Sequence, residues 1–200
     1  MGKSTAAESL RRLGVPVHDA DDEVHRLLHE DRLVIAAIGR AFPDVIRNGE
    51  VDRAELGRRV FGNAAALARL ESILHPRVRE VADRFLRRAA AARQPLVALD
   101  IPLLFETGGE KRCDIVVVVS APSFVQAARV LRRPGMSAQR LAAILARQQP
   151  DPVKQRRADF VVPTGLDRRT GLQMLARVVT LARRQRHWRR RQTRELGGHA

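Results

Sequence analysis

Phosphate chemistry is written into the first five residues. Gly2-Lys3-Ser4-Thr5 stands directly ahead of a stretch with helical spacing that runs to Leu13. This is the back half of the pattern GxxxxGK[ST], in which backbone N–H groups and the positive end of a helix cradle phosphates. In such a loop the lysine sets a charge near the β- and γ-phosphates, and the hydroxyl binds Mg2+. Gly2, Lys3, Ser4 and Thr5 are therefore candidate ATP-binding residues, with Lys3 also acting on the transferred group and Ser4 on the metal. Three carboxylates, Asp19, Asp21 and Asp22, follow a short β-like stretch. A kinase acting on an alcohol gains from a carboxylate that orients the hydroxyl and takes its proton. By residue type Asp21 competes for that role with Asp19 and Asp22, and any of them could instead cap the helix that begins there. Asp100 closes an apolar run, where an acid could hold Mg2+ or simply end a strand. Arg129 and Arg133 stand four apart, which places both on one helix face. They could neutralise charge on a transferring phosphoryl group, or form a solvated basic face.

Those residues need a scaffold that brings strand ends and helix starts together. Four β-like stretches stand out, at 15–18, 96–104, 114–120 and 159–163. The middle two carry unbroken apolar runs, as in parallel strands buried on both faces. Stretches of helical spacing separate them. Leu67, Leu70 and Leu74 share one face, as do Leu172, Leu175, Val179 and Ala182. Strands alternating with helices predict an α/β fold with a parallel sheet. Residues 22–92 read as helical throughout, with no good strand, and predict a helical lobe inserted between two strands. His75-Pro76 reads as a junction, with proline at the first position of a helix. His25 and His29 are four apart, but no third ligand is obvious, so they read as no metal site.

Bulk properties narrow the function classes. With 44% hydrophobic and 30% charged residues, the chain reads as globular rather than disordered. No apolar run approaches membrane-spanning length. One cysteine, Cys113, excludes an internal disulfide framework and fits a reducing, cytoplasmic setting. The net charge of +15 is partly local, since residues 183–194 hold seven arginines and no acid. The remaining excess points to an anionic partner, nucleotide phosphates or nucleic acid. The tail itself, with Trp188 among its arginines, reads first as a solvated helix end.

Several separated segments, in order, resemble the dephospho-CoA kinase family. They are Leu13-Gly14 through Val17-His18-Asp19-Ala20-Asp21, Val51-Asp52-Arg53 with Leu56 and Val60-Phe61, and Leu70-Glu71-Ser72-Ile73-Leu74-His75-Pro76. Asp100-Ile101-Pro102-Leu103-Leu104-Phe105-Glu106 is the most distinctive. Gln126, Arg129, Arg133, Gly135-Met136-Ser137, Gln148 and Ala158-Asp159-Phe160-Val161-Val162 complete the pattern, which spans about residues 2–182. The resemblance implies a P-loop kinase fold, a three-layer α/β/α arrangement on a parallel sheet. It implies one domain over 1–182, with a helical substrate lobe at about 22–92 and a lid at about 126–148, then a basic tail at 183–200. It also implies ATP-dependent phosphorylation of the ribose 3′-hydroxyl of dephospho-CoA, the last step of coenzyme A synthesis. Asp21 would be the base and Arg129 and Arg133 lid residues. Only Met1 precedes Gly2, so the chain is expected to begin inside its phosphate loop, to lack the first, central strand, and to be unstable or inactive as written. Another small-molecule kinase, a basic nucleic-acid binder and an inactive fragment remain alternatives. Where many family members carry asparagine, Pro163-Thr164-Gly165 stands instead, and no base contact carries over.

Overall fold

In the computed structural model the described residues are 2–133, 135–165 and 167–196, with side chains described as far as 184 apart from 168. The chain divides into two compact units, residues 18–93 and the remainder. Both are built on helices, and the strands are short.

The unit of residues 18–93 begins at α2 (Ala20–Glu30), continues through α3 (Arg32–Ala41) and α4 (Arg53–Val60), and ends with α5 (Ala64–Ala91). Each helix starts at an Asp or Asn whose side chain accepts backbone N–H groups of the first turn. Asp19 caps α2, Asp31 caps α3, Asp52 caps α4 and Asn63 caps α5. Such a cap contributes about 1 kcal/mol by satisfying an amide that has no partner inside the helix. The apolar stripes meet in one core of Leu27, Leu28, Val34, Ile38, Val45, Val51, Leu56, Leu70 and Leu74. Arg77 of α5 donates to Asp31 Oδ2 through Nη2 at 2.7 Å and through Nε at 3.2 Å, tying the long helix to the α2–α3 corner. Burial works to raise the Asp31 pKa, but hydrogen bonds from Arg77 and the Val34 and Leu33 amides overcome it and hold the carboxyl below its ordinary value.

Two expectations for this unit are corrected. A two-stranded antiparallel hairpin, β2 (Ile46–Arg47) and β3 (Glu50–Val51), lies between α3 and α4. Its turn residues Asn48 and Gly49 have φ of 51° and 81°. Positive φ at both central positions is the geometry an Asn-Gly hairpin turn supplies. The strands are two residues long, too short to show alternation. Pro76 is not a helix start either, because it lies inside the 28-residue α5. It lacks the N–H that would donate to Ser72, which costs about 3 kcal/mol. Helical turns packed on the core on both sides, through Leu70 and Leu74 before it and Val78 and Val81 after it, keep the helix continuous.

The other unit opens with α1 (Lys3–Arg12) and the start of β1 (Val17–Asp19). It then holds β4 (Ala98–Asp100), β5 (Val117–Ser120), α6 (Ser123–Leu131), α7 (Ala138–Arg147), α8 (Asp151–Arg157), β6 (Phe160–Pro163) and α9 (Arg168–Leu196). β5 and β6 pair in parallel, Val117 opposite Phe160 and Ser120 opposite Pro163. The first of these strands is apolar on both faces because both are covered. Val117 and Val119 pack on Ala6, Val162 and Leu175, while Val118 joins Val116 and Phe105. The Ala98 amide donates to the Pro16 carbonyl at 2.9 Å, joining β4 to the chain entering β1.

The parallel sheet expected from the alternation is present only in pieces. Among the described residues the strands form three two-stranded sheets, and β4 and β5 are not hydrogen-bonded to each other. The stretch expected as a strand over 96–104 is a strand only at Ala98–Asp100 and then turns. The Thr107 amide returns to the Leu103 carbonyl and the Gly109 amide to Leu104, which buries Phe105 without extending the strand. Leu172 is 39% exposed, so it does not share the buried stripe of Leu175, Val179 and Ala182. The side chains of most of the basic stretch 183–194, including Trp188, lie outside the described residues, as does Pro134 of the expected hinge.

Ile38→Ala is expected to cost roughly 2–5 kcal/mol, the range for emptying a fully buried aliphatic position. Leu33→Ala, on the same helix but 69% exposed, is expected to change stability by less than about 0.5 kcal/mol. Urea denaturation of the two variants compares them directly.

Candidate active site

Gly2 sets the turn by which the chain enters α1. Its φ is 108°, and α1 begins at the next residue. A Cβ built on Gly2 would stand 2.8 Å from Thr164 Oγ1 and 2.9 Å from both Thr164 carbons beyond the backbone. Two independent reasons therefore require glycine, a backbone conformation that side chains disfavour and a neighbour that leaves no room. Ser4 and Thr5 follow, both exposed, in the first turn of a helix that has no acidic residue there. Its opening amides and the positive end of its dipole remain suited to an anion.

Lys3 and Asp100 meet. The ammonium lies 3.0 Å from Asp100 Oδ1, with the lysine side chain 32% exposed and the aspartate 10%. The strand end thus delivers its carboxylate to the start of α1. Sequence reasoning gave these two residues separate tasks and supplied no sign that they pair. The pairing depends on β4 passing under α1, a long-range arrangement.

Thr164 is a residue that sequence reasoning set aside. Its amide and its hydroxyl both donate to the Ser120 carbonyl, at 2.7 and 3.0 Å. Its own carbonyl accepts from Arg129 Nη2 at 2.9 Å. A chain of contacts runs from Gly2 through Thr164 to α6. Beside it, Ser120 donates to Asp151 Oδ2 at 2.6 Å, and Gln155 donates to both. Gln126 holds the Ala121 carbonyl at 2.7 Å. The ends of β5 and β6 are thereby fixed at the carboxyl edge of the strands, where α/β proteins place ligands. The signal that could have found Thr164 is its position immediately after β6.

Arg129 and Arg133 do not share a helix face. The helix α6 ends at Leu131, and Arg133 stands beyond its cap, exposed in a bend. The four-residue spacing predicts a common face only while the helix continues.

The structure separates Asp19 from Asp21 and Asp22. Asp19 Oδ1 accepts the Asp21 and Asp22 amides at 3.0 and 3.3 Å, so Asp19 is the cap. Asp21 and Asp22 are exposed in the first turn of α2.

Glu106 serves structure. Its Oε1 accepts the Gln149 amide at 2.8 Å and lies 3.1 Å from Lys154 Nζ. Burial works against its charge, yet the Gln149 amide and Lys154 hold its pKa below the ordinary glutamate value. Next to it, the Arg157 guanidinium lies 4.5 Å from the Phe105 ring and pairs with Glu110 at 2.6 Å. No group of three or more His, Cys, Asp or Glu among the described residues could enclose a metal by itself.

The chain is similar to known proteins over most of its length. The family model described as "Dephospho-CoA kinase" matches residues 1–166. A dephospho-CoA kinase of Paramagnetospirillum magneticum is 63% identical over 155 residues, covering 78% of this chain and 73% of its own length. One from Rhodospirillum rubrum is 57% identical over 192 residues, covering 95% of this chain and 91% of its own. Among solved structures, TT1252 from Thermus thermophilus superposes with a TM-score of 0.76 at 36% identity, covering 90% of this chain and 91% of that one.

Two outcomes follow. Gly2→Ala is expected to weaken ATP binding about tenfold, because backbone strain of about 1–3 kcal/mol is added to a contact with no space; KM for ATP measures it. Glu106, its pKa depressed by folding, contributes stability above its unfolded pKa and loses it as pH falls through the folded value. Urea denaturation at neutral and acidic pH should find Glu106→Gln less stable than wild type at pH 7, with the difference shrinking as pH falls below the ordinary glutamate range.

Proposed function

The chain belongs to the dephospho-CoA kinase family, and from that premise we propose how its residues divide the work. The reaction is ATP-dependent phosphorylation of dephospho-CoA, the last step of coenzyme A synthesis. In our reading the acceptor is the ribose 3′-hydroxyl, and the fold is the three-layer P-loop kinase arrangement. The observation that carries the assignment is the meeting of Lys3 with Asp100 at the start of α1, 3.0 Å apart. It sets a lysine, a carboxylate, a helix N-terminus and a glycine with no room for a side chain at one corner.

Lys3 and the opening amides of α1 hold the β- and γ-phosphates of ATP, with Gly2 and Thr5 shaping the loop. The ammonium already has one carboxylate beside it, so it is held close to where the phosphates arrive rather than searching many rotamers. Ser4 and Asp100 offer a hydroxyl and a carboxylate, the hard oxygen ligands that Mg2+ takes along with water and phosphate oxygens. When bound, Mg2+ supplies charge neutralisation on the phosphates.

Asp21 orients the acceptor hydroxyl and takes its proton as the oxygen attacks phosphorus. Asp19 is committed to capping, and Asp21 stands exposed in the first turn of α2, where an acceptor can reach it. Arg129 and Arg133 stabilise the charge that spreads over the phosphoryl oxygens. The bond of Arg129 to the Thr164 carbonyl supports this, since Thr164 also abuts Gly2. Residues 126–148 would act as a lid. Cys113 takes no part: burial raises its thiol pKa, which suppresses the reactive thiolate. A lone, unreactive thiol accords with a cytoplasmic enzyme. No described helix is long and apolar enough to cross a membrane.

Asp21→Asn is expected to lower kcat by roughly 10²–10⁴-fold, the usual contribution of a positioned base, with KM for ATP little changed. Asp22→Asn should stay near wild type. ADP release in the presence of dephospho-CoA measures both. Equal losses in the two variants would show that the base is misassigned.

A further inference from the structure

The segment that leaves β4 makes a different contact at each end. At its start, Asp100 meets Lys3 beside the opening of α1, 3.0 Å away. At its far end, Glu106 reaches the chain that leaves α7. The Gln149 amide donates to Glu106 Oε1 at 2.8 Å, and Lys154 Nζ lies 3.1 Å from the same oxygen. Both side chains are largely withdrawn from water, the glutamate 14% and the lysine 15% exposed. Lys154 also donates to Gln148 Oε1 at 3.3 Å, and Arg157 donates to Gln149 Oε1 at 2.9 Å. Gln148 and Gln149, which follow α7 directly, are thus held through side chains and backbone together.

The turn that carries Glu106 is stiff. Phe105 is buried with Val116 and Val118. The Thr107 amide bonds back to the Leu103 carbonyl at 3.1 Å, and the Gly109 amide to Leu104 at 2.8 Å. A Cβ on Gly109 would stand 2.9 Å from Leu104 Cδ1 and 3.3 Å from the Leu104 carbonyl, so the turn closes on itself without slack. The helix it reaches is held differently. No residue of α7 is buried, and Ile144 and Leu145 lie exposed on it. Few buried apolar contacts mark an element that moves easily. The turn ahead of α7 is bonded to itself, the Met136 amide to Arg133 and the Arg140 guanidinium to the Gly135 carbonyl. The exit is bonded instead to a residue 43 positions away.

We propose that Glu106 is a positioning residue of the phosphoryl transfer: with Lys154 it fixes the exit of α7 as the pivot about which that helix closes. The inference rests on the functional reading above, in which α7 belongs to a lid, and adds the group that seats it. Glu106 acts through α7 and not on the reacting atoms. Its second oxygen, Oε2, is buried with no hydrogen-bond partner. A carboxylate that served stability alone would be expected to use both oxygens. Asp100 and Glu106 also stand in one short segment, so the corner beside Lys3 and the pivot of α7 share a single stiff piece of chain. Closure about that pivot repeats the same distance to the phosphate corner each time. Charge neutralisation by closing side chains depends on that repeatability, since a small misplacement of the reacting geometry is expensive.

The test combines steady-state kinetics on ATP and dephospho-CoA with amide hydrogen exchange along α7, with and without a non-hydrolysable ATP analogue. Glu106→Gln and Lys154→Met should each lower kcat and kcat/KM equally, by about tenfold, the mark of a contact felt only in the transition state. In the wild type the analogue should slow exchange along α7, and in both variants that slowing should be lost. Lys154→Arg keeps the charge and should retain both the rate and the slowing. Val179→Ala, a buried change on α9 in the same unit, should lower Tm while leaving kcat and the exchange difference as in the wild type. Circular dichroism confirms that each variant is folded. Wild-type kcat in Glu106→Gln and Lys154→Met would overturn the proposal. So would an equal loss in Val179→Ala, or a loss of kcat with the slowing along α7 intact. A wild type that did not phosphorylate dephospho-CoA would overturn the functional reading, and an active one with no exchange response along α7 would overturn the lid. A wild type that showed both, matched by the two variants, would overturn this inference alone.

Discussion

An ammonium and a carboxylate 3.0 Å apart, the latter almost wholly withdrawn from water, hold each other in place at the start of α1. Removing either would take a partner from the other, and for a carboxylate only 10% exposed that costs more than losing a fully exposed pair. The pair therefore constrains the backbone on both sides. The end of β4 must stop beneath the first turn of α1, and Gly2 must turn the chain into that helix with a φ of 108°. The apolar residues of α1, Ala6 and Leu10, then pack against Val162 and Leu175, which carries the constraint to β6 and α9.

The second consequence lies at the ends of β5 and β6. Ser120 and Thr164 are joined by two hydrogen bonds, and Asp151 and Gln155 of α8 hold Ser120 from the other side. These bonds are largely out of water, where a polar group without a partner is expensive. The loop after β6 is therefore a fixed wall against Gly2, with Arg129 bonded to its carbonyl. Rigid strand ends under an open helix start form a site that needs little reorganisation when a charged ligand arrives.

The helical unit uses a different economy. Four helices each begin with a side-chain cap, and a bidentate Arg77–Asp31 contact ties the longest of them to the first corner. Those contacts satisfy the polar groups at helix ends and leave the apolar stripes to a single core. They do not satisfy His18, whose Nε2 is buried with no hydrogen-bond partner.

The α/β alternation, the apolar strands β5 and β6, the helical run after Asp22 and the family resemblance were all legible in the sequence. Each rests on local pattern or on residue identity in order. The two-residue hairpin at Asn48-Gly49 was not, since two residues show no period, and Pro76 inside α5 was not, since propensity there yields to packing. Spacing also joined Arg129 and Arg133 on a helix that in fact ends between them. Residue types named Lys3 and Asp100, but only tertiary structure paired them. It likewise gave the cap to Asp19 over Asp21 and Asp22, set Thr164 against Gly2, and left His18 Nε2 buried without a hydrogen-bond partner. Periodicity and motif describe neighbours along the chain. Which distant charges and ring nitrogens meet, and which stay without partners, is decided by the burial that brings the elements together.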